Sequence, residues 1–160
     1  GPIYIPGDIF PSRQVWSYTN AGEVEETGID VGVNIYLSDQ LKLGVNASYF
    51  TFNVVSRHPN DVLLPNASEY KVNSGVTYID PAGWEASVSM KHVPSYPWAA
   101  GIYRGTIKSY TLLNLAGSYP VTANMRALLN VSNALDSQHY EIFGGSLLGR
   151  RAILTLVLTL

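Results

Sequence analysis

Gly28-Ile29-Asp30-Val31-Gly32-Val33-Asn34-Ile35-Tyr36-Leu37 decides the fold class. Ile29, Val31, Val33, Ile35 and Leu37 occupy every second position, and Gly28, Asp30, Gly32, Asn34 and Tyr36 fill the others. After Ser38-Asp39-Gln40 the alternation restarts, with Leu41, Leu43, Val45, Ala47 and Tyr49 against Lys42, Gly44, Asn46, Ser48 and Phe50. A period of two sustained on both sides of a short polar turn predicts an antiparallel hairpin. Helical spacing fits neither arm.

The unit recurs twice more. Tyr70 to Ile79 alternates with Val72, Val76 and Tyr78 on one face, and Asp80-Pro81-Ala82-Gly83 turns the chain. There Pro presets φ and Gly supplies a positive φ. Trp84, Ala86, Val88 and Met90 continue opposite Glu85, Ser87, Ser89 and Lys91. Leu113, Leu115 and Tyr119 then alternate with Asn114, Ala116 and Ser118, and beyond a turn at 121–124 Ala127, Leu129 and Val131 oppose Arg126, Asn130 and Ser132. A last strand places Leu154, Leu156, Leu158 and Leu160 opposite Thr155 and Thr159. Short turns at 38–40, 80–83 and 121–124 alternate with long links near 56–68, 94–107 and 134–149. Short turns on one side and long loops on the other are the habit of outer-membrane barrels, the short turns being periplasmic. The expectation is an all-β fold: an antiparallel transmembrane β-barrel segment of seven to eight up-and-down strands, an incomplete barrel. Its Ile/Val/Leu face would meet the lipid bilayer and its Gly/Asn/Ser/Lys face a polar interior. Tyr36, Tyr49, Tyr78, Trp84, Tyr110 and Tyr119 lie near strand ends, where interfacial aromatics collect.

Composition agrees. Of 160 residues only 14% are charged and 46% are hydrophobic, whereas soluble domains carry about 25% charge. The net charge of −2 and ten scattered Lys and Arg give no reason to expect nucleic acid. The absence of Cys removes disulfides, Cys-zinc sites and thiol nucleophiles. No run approaches the roughly 18 apolar residues of a transmembrane helix, which says nothing against strands. The chain opens Gly1-Pro2-Ile3, with neither a basic nor an apolar leader region, so it is expected to be mature or cut from something larger.

Four motifs resemble, in order and spacing, those of the TonB-dependent outer-membrane receptors. Tyr18-Thr19-Asn20-Ala21-Gly22 followed by Thr27-Gly28-Ile29-Asp30 is similar to the family's "Y-x-N-x-G … G-[IV]-E" strand. Ser109-Tyr110-Thr111-Leu112-Leu113-Asn114-Leu115 with Ser118-Tyr119-Pro120-Val121-Thr122 resembles its "sYt-x-x-d-L … sY-x-[VL]-t" hairpin. Val131-Ser132-Asn133-Ala134-Leu135-Asp136 with Tyr140 resembles "V-x-N-L-F-D-x-x-Y", and Gly149-Arg150 stands where the family has "G-R" before its final strand. The likeness spans about residues 16–160 and is nearest to the cobalamin and siderophore branch. It implies outer-membrane, TonB-dependent uptake of a scarce ligand such as an iron-siderophore or cobalamin in a Gram-negative bacterium. Its implied partners are the remainder of the barrel, a plug domain, and TonB through an N-terminal part.

Two features depart from the family. Its final residue is usually aromatic, and here it is Leu160. A member has 22 strands around a plug, and residues 1–160 hold seven or eight strands and no plug-like segment. The expectation is therefore a C-terminal portion of the barrel, with a periplasmic C-terminus. The alternatives are a complete eight-stranded barrel (adhesin, structural or enzyme) that takes one more strand from residues 9–22, and a soluble β-sandwich binding module.

No enzyme and no cofactor is expected. His58, His92 and His139 lie far apart without metal-binding spacing, and no G-x-S-x-G elbow occurs. Glu23, Glu25 and Glu26 fit a solvated strand end better than a cation site, and the sequons Asn46-Ala47-Ser48, Asn66-Ala67-Ser68 and Asn130-Val131-Ser132 have no use in a bacterial outer membrane. Ligand-binding candidates sit in the long links. Tyr96, Trp98, Tyr103 and Arg104 combine aromatic faces with a cation suited to a planar chelate or macrocycle, and Arg57 and His58 add charge nearby. The competing role for these aromatics is packing of loop against loop.

Overall fold

The computed structural model describes residues 20, 22–59 and 61–159. The described residues form nine strands and no helix: β1 (Gly22–Tyr36), β2 (Leu41–Arg57), β3 (Tyr70–Ile79), β4 (Glu85–Val93), β5 (Tyr96–Ala100), β6 (Tyr103–Ile107), β7 (Tyr110–Thr122), β8 (Met125–Ser132) and β9 (Arg151–Leu158). Seven of them make one antiparallel sheet in the order β1-β2-β3-β4-β7-β8-β9, and β5 and β6 pair separately as a small hairpin. This is the expected up-and-down wall, open at both edges. Among the described residues no second layer packs face to face on this sheet, unlike a β-sandwich. The extra strand that an eight-stranded barrel would draw from residues 9–22 falls almost wholly outside the described residues.

Antiparallel partners share a face, so the registers settle which side chains are neighbours. One apolar row crosses the whole sheet: Ile35, Leu43, Val76, Val88, Leu115, Val131 and Ala152 are successive partners. Lys42, Thr77, Ser87, Ala116, Asn130 and Ile153 form the adjacent row on the opposite face. Asp30, Lys42, Lys71, Glu85, Lys91, Arg126 and Arg151 all fall on this second face. An Arg or Lys facing the lipid midplane costs about 2–4 kcal/mol, so the charged face is the interior one. The partition is incomplete at Leu128, Ile153 and Val157, which also lie inside.

The turns form as their residues dictate. Ser38 Oγ accepts from the backbone N–H of Gln40 and Leu41, at 3.2 and 3.1 Å. Asp80 Oδ1 accepts from Ala82 N at 2.8 Å, and Gly83 takes a φ of 89° that closes the second turn. At the third turn the β7–β8 register slips between Pro120 and Thr122. Proline has no N–H for a ladder, and here it lies beyond the last residue of β7 that β4 pairs.

The face polarity of β1 and β2 reverses at Tyr49. Below it Leu43, Val45 and Ala47 point outward. Above it the outward pairs are Thr27–Thr51 and Glu25–Asn53, while Phe50, Phe52 and Val54 turn inward and are half-buried. A strand that leaves hydrocarbon for water has no reason to keep its outer face apolar, so Tyr49 and its partner Tyr70 mark the outer boundary of the lipid. Tyr78, whose ring is tilted 43° against that of Trp84 with centroids 5.1 Å apart, marks the other boundary. Tyr70 to Tyr78 covers about 27 Å of strand, or roughly 20 Å of depth at a tilt near 40°, comparable to the apolar band of about 25 Å.

Two expected girdle aromatics lie elsewhere. Tyr36 is on the interior face, where its partner Lys42 holds Nζ 5.5 Å from its ring centroid. Tyr110 is buried, at 7% exposure, in a small core with Val93, Tyr96 and Ile107. Sequence position places a residue near a strand end, but register parity decides which face it takes.

Candidate functional site

The three long links at the extracellular end are tied into one cluster. The 94–107 link folds back as the β5–β6 hairpin, closed by Gly101 at φ 59° with Ile102 almost fully exposed at its tip. On one side the link between β2 and β3 reaches it through Asn66, which itself adopts a left-handed φ of 52°. Asn66 Nδ2 donates to Ala99 O at 2.9 Å, and Ala99 N donates to Asn66 Oδ1 at 2.8 Å. On the other side the link between β8 and β9 packs Phe143 against Gly105, where any Cβ would run into the ring.

The base of that last link explains the Asn-x-x-Asp and Gly-Arg motifs. Asn133, at φ 53°, accepts from Ser137 N and donates to Ser137 O, both at 2.9 Å, while its own N–H donates to Asn114 Oδ1 at 3.0 Å. Asp136 Oδ1 accepts from Arg150 N at 2.8 Å, and a Cβ on Gly149 would stand 2.9 Å from the same oxygen. Asn and Asp tolerate the left-handed region because their short polar side chains bond locally. The lobe from His139 to Leu148 is then closed by reciprocal backbone bonds between those two residues, at 3.1 and 2.9 Å.

The six candidate ligand residues fall into two places. Arg57 and His58 are exposed at the open end of the β1–β2 pair, opposite the 38–40 turn, in a hollow shared with Asn20, Gly22, Glu23 and Ser56. Tyr96, Trp98, Tyr103 and Arg104 belong to the β5–β6 hairpin, where they differ in exposure. Tyr96 is buried and its hydroxyl donates to Glu141 O at 2.9 Å. Burial first, and then the Glu141 carboxylate, push the Tyr96 phenol above its ordinary value, so it stays a donor. Trp98 packs half-buried against the Val93–Tyr110 core, while Tyr103 and Arg104 are exposed on β6.

A cavity of about 610 Å³ lies beside β6 and was not legible in the sequence. It is lined by Thr106, Lys108, Ser109, Gln138, His139 and Phe143, among others. Its lining combines one lysine, an amide, the hydroxyl residues Thr106, Ser109 and Tyr140, and aromatic walls. Nothing in the order of residues 106–109 and 138–145 announces that they meet, because the fold of each link brings them together.

Comparison with known proteins agrees with this architecture. The family described as "TonB dependent receptor-like, beta-barrel" matches residues 3–134. Among solved structures, one titled "Copper transporter OprC" superposes with a TM-score of 0.70 at 19% identity, covering 87% of this chain and 24% of that one. At that identity the likeness is one of fold, and the chain spans about a quarter of that protein's length. No curated protein matches the sequence. With its open seven-stranded wall, lipid-facing apolar rows and clustered outer loops, the chain belongs to the TonB-dependent receptor β-barrel family of the Gram-negative outer membrane.

Proposed function

We propose that the chain is the C-terminal sector of a receptor barrel that takes up a scarce ligand across the outer membrane, driven by TonB. The sector supplies wall, extracellular loops and the closing strand β9. A plug and the TonB-contacting segment belong to the rest of the receptor. The family match over residues 3–134 carries this reading. The ligand class is a metal chelate or macrocycle, an iron-siderophore or cobalamin. Exposed Tyr103, on the same hairpin face as half-buried Trp98, supports it as aromatic surface for a planar chelate, and exposed Arg104, on the opposite face of β6, adds a cation for an anionic one. Arg57 and His58 would meet ligand from the outer end of β2. Tyr96 serves as packing.

The test is uptake by cells lacking the full-length receptor and by the same cells complemented with it. Radiolabelled ferric siderophores, cyanocobalamin and copper salts are supplied one at a time, with and without active TonB. TonB-dependent accumulation of a chelate or cobalamin is expected. Accumulation of copper alone would overturn the ligand class and leave the transport role intact, and accumulation independent of TonB would overturn the transport role.

A further inference from the structure

His139 is 7% exposed, and its two ring nitrogens have unequal surroundings. Nδ1 lies 2.9 Å from the Ser137 carbonyl oxygen. A carbonyl only accepts, so Nδ1 carries the proton and the neutral ring presents a bare lone pair at Nε2. That buried Nε2 has no hydrogen-bond partner among the described residues. What faces it is another acceptor, Glu141 Oε1, at 3.8 Å. The ring itself is stacked on Tyr110 at 4.4 Å. A buried lone pair set against a carboxylate is the arrangement that one added proton resolves.

We propose that His139 is a proton-operated clamp on the extracellular lobe from His139 to Leu148, tighter in acid. Glu141 is partly exposed and gives solvent protons a route inward. The proton adds to Nε2, the ring becomes imidazolium, and the new N–H donates to Glu141 Oε1 as a charge-assisted hydrogen bond. Glu141 is already the node of the cluster. Its carboxylate accepts from Tyr110 on β7 at 3.4 Å, and its carbonyl accepts from Tyr96 on β5 at 2.9 Å. Fixing Glu141 therefore fixes the lobe to both strands. Lys108, on the link between β6 and β7, lines the same cavity and opposes protonation through its charge. Glu141 is the carboxylate that favours it, and the Tyr96 and Tyr110 phenols stay neutral. The switch is the single proton on Nε2. It does not depend on which ligand the receptor carries.

The experiment is hydrogen exchange of backbone amides Tyr140–Leu147 in the full-length receptor, at pH 5 and pH 7.5, corrected for intrinsic rates. Protection is expected to rise about tenfold at the lower pH, the scale of one charge-assisted bond at partial exposure. His139→Phe keeps the stack on Tyr110 and loses the pH response. Glu141→Gln also loses it, because its amide can donate to the neutral Nε2 at every pH. Exchange at the His139 ring C2–H, followed in the unmutated receptor, reports protonation without any variant. No protonation between pH 8 and 5, or a pH response that survives His139→Phe, overturns the proposal.

Discussion

Asn66 and the backbone of Ala99 exchange two hydrogen bonds, at 2.9 and 2.8 Å, across 33 residues of sequence. The pair pins the β5–β6 hairpin to the preceding link, so two loops that sequence spacing treats as separate move as one.

Asn66→Ala is expected to release the hairpin without unfolding the barrel. Both partners of a part-buried pair are left unsatisfied, at about 1–3 kcal/mol each. Amide exchange across Tyr96–Ile107 in the full receptor should accelerate at least tenfold, while the seven-stranded wall keeps its protection. Unchanged exchange at Ala99 would show that the pair holds nothing.

Charge placed on the outer face should block assembly, and the same charge inside should not. Val33→Lys and Leu156→Arg face lipid, and each carries a cost of about 2–4 kcal/mol near the midplane. Asn34→Lys and Thr155→Lys sit one residue away on the interior face and are expected to assemble normally. Heat-modifiable gel mobility of the outer-membrane fraction distinguishes the two sets. Equal yields would refute the face assignment.

Ligand affinity should respond to β6 and Trp98 more than to Tyr96. Trp98→Ala, Tyr103→Ala and Arg104→Ala in the full receptor are each expected to weaken binding by about tenfold or more, whereas Tyr96→Phe leaves affinity unchanged. Tyr96→Phe should instead raise amide exchange at Glu141–Ile142, since it removes the bond to the Glu141 carbonyl. Unaltered affinity in all three alanine variants would mean that the hairpin aromatics only pack.

Asp136→Ala should weaken the approach to β9. The variant frees Arg150 N and removes the oxygen that Gly149 crowds. Barrel stability is expected to fall by about 1–2 kcal/mol, read as a lower midpoint of thermal unfolding in detergent. No change in midpoint would show that the motif serves something other than the strand.

The wall was legible in the sequence because lipid on one side and an interior on the other impose a period of two, and each residue carries its own half of that decision. Ile29 to Leu37, the three short turns and the positions of the long links needed no knowledge of the fold. The reversal at Tyr49 was visible in principle, since Thr51 and Asn53 take up the outward parity, yet a scan for alternation registers only that residues alternate. Tyr36 and Tyr110 were read as interfacial from their position at strand ends, and register placed them inside. The candidate site was legible only in part. Aromatic and cationic residue types in residues 96–104 marked the hairpin, but burial separated Tyr96 from Tyr103. The meeting of Lys108, Gln138, His139 and Phe143, the Asn66–Ala99 bridge and the stacking of Tyr110 on His139 where it faces Glu141 came from tertiary structure alone. Sequence fixes what recurs locally, because strand periodicity and turn chemistry act between near neighbours. Loops carry no such period, so their contacts arise only once distant segments are folded together and their polar atoms find partners.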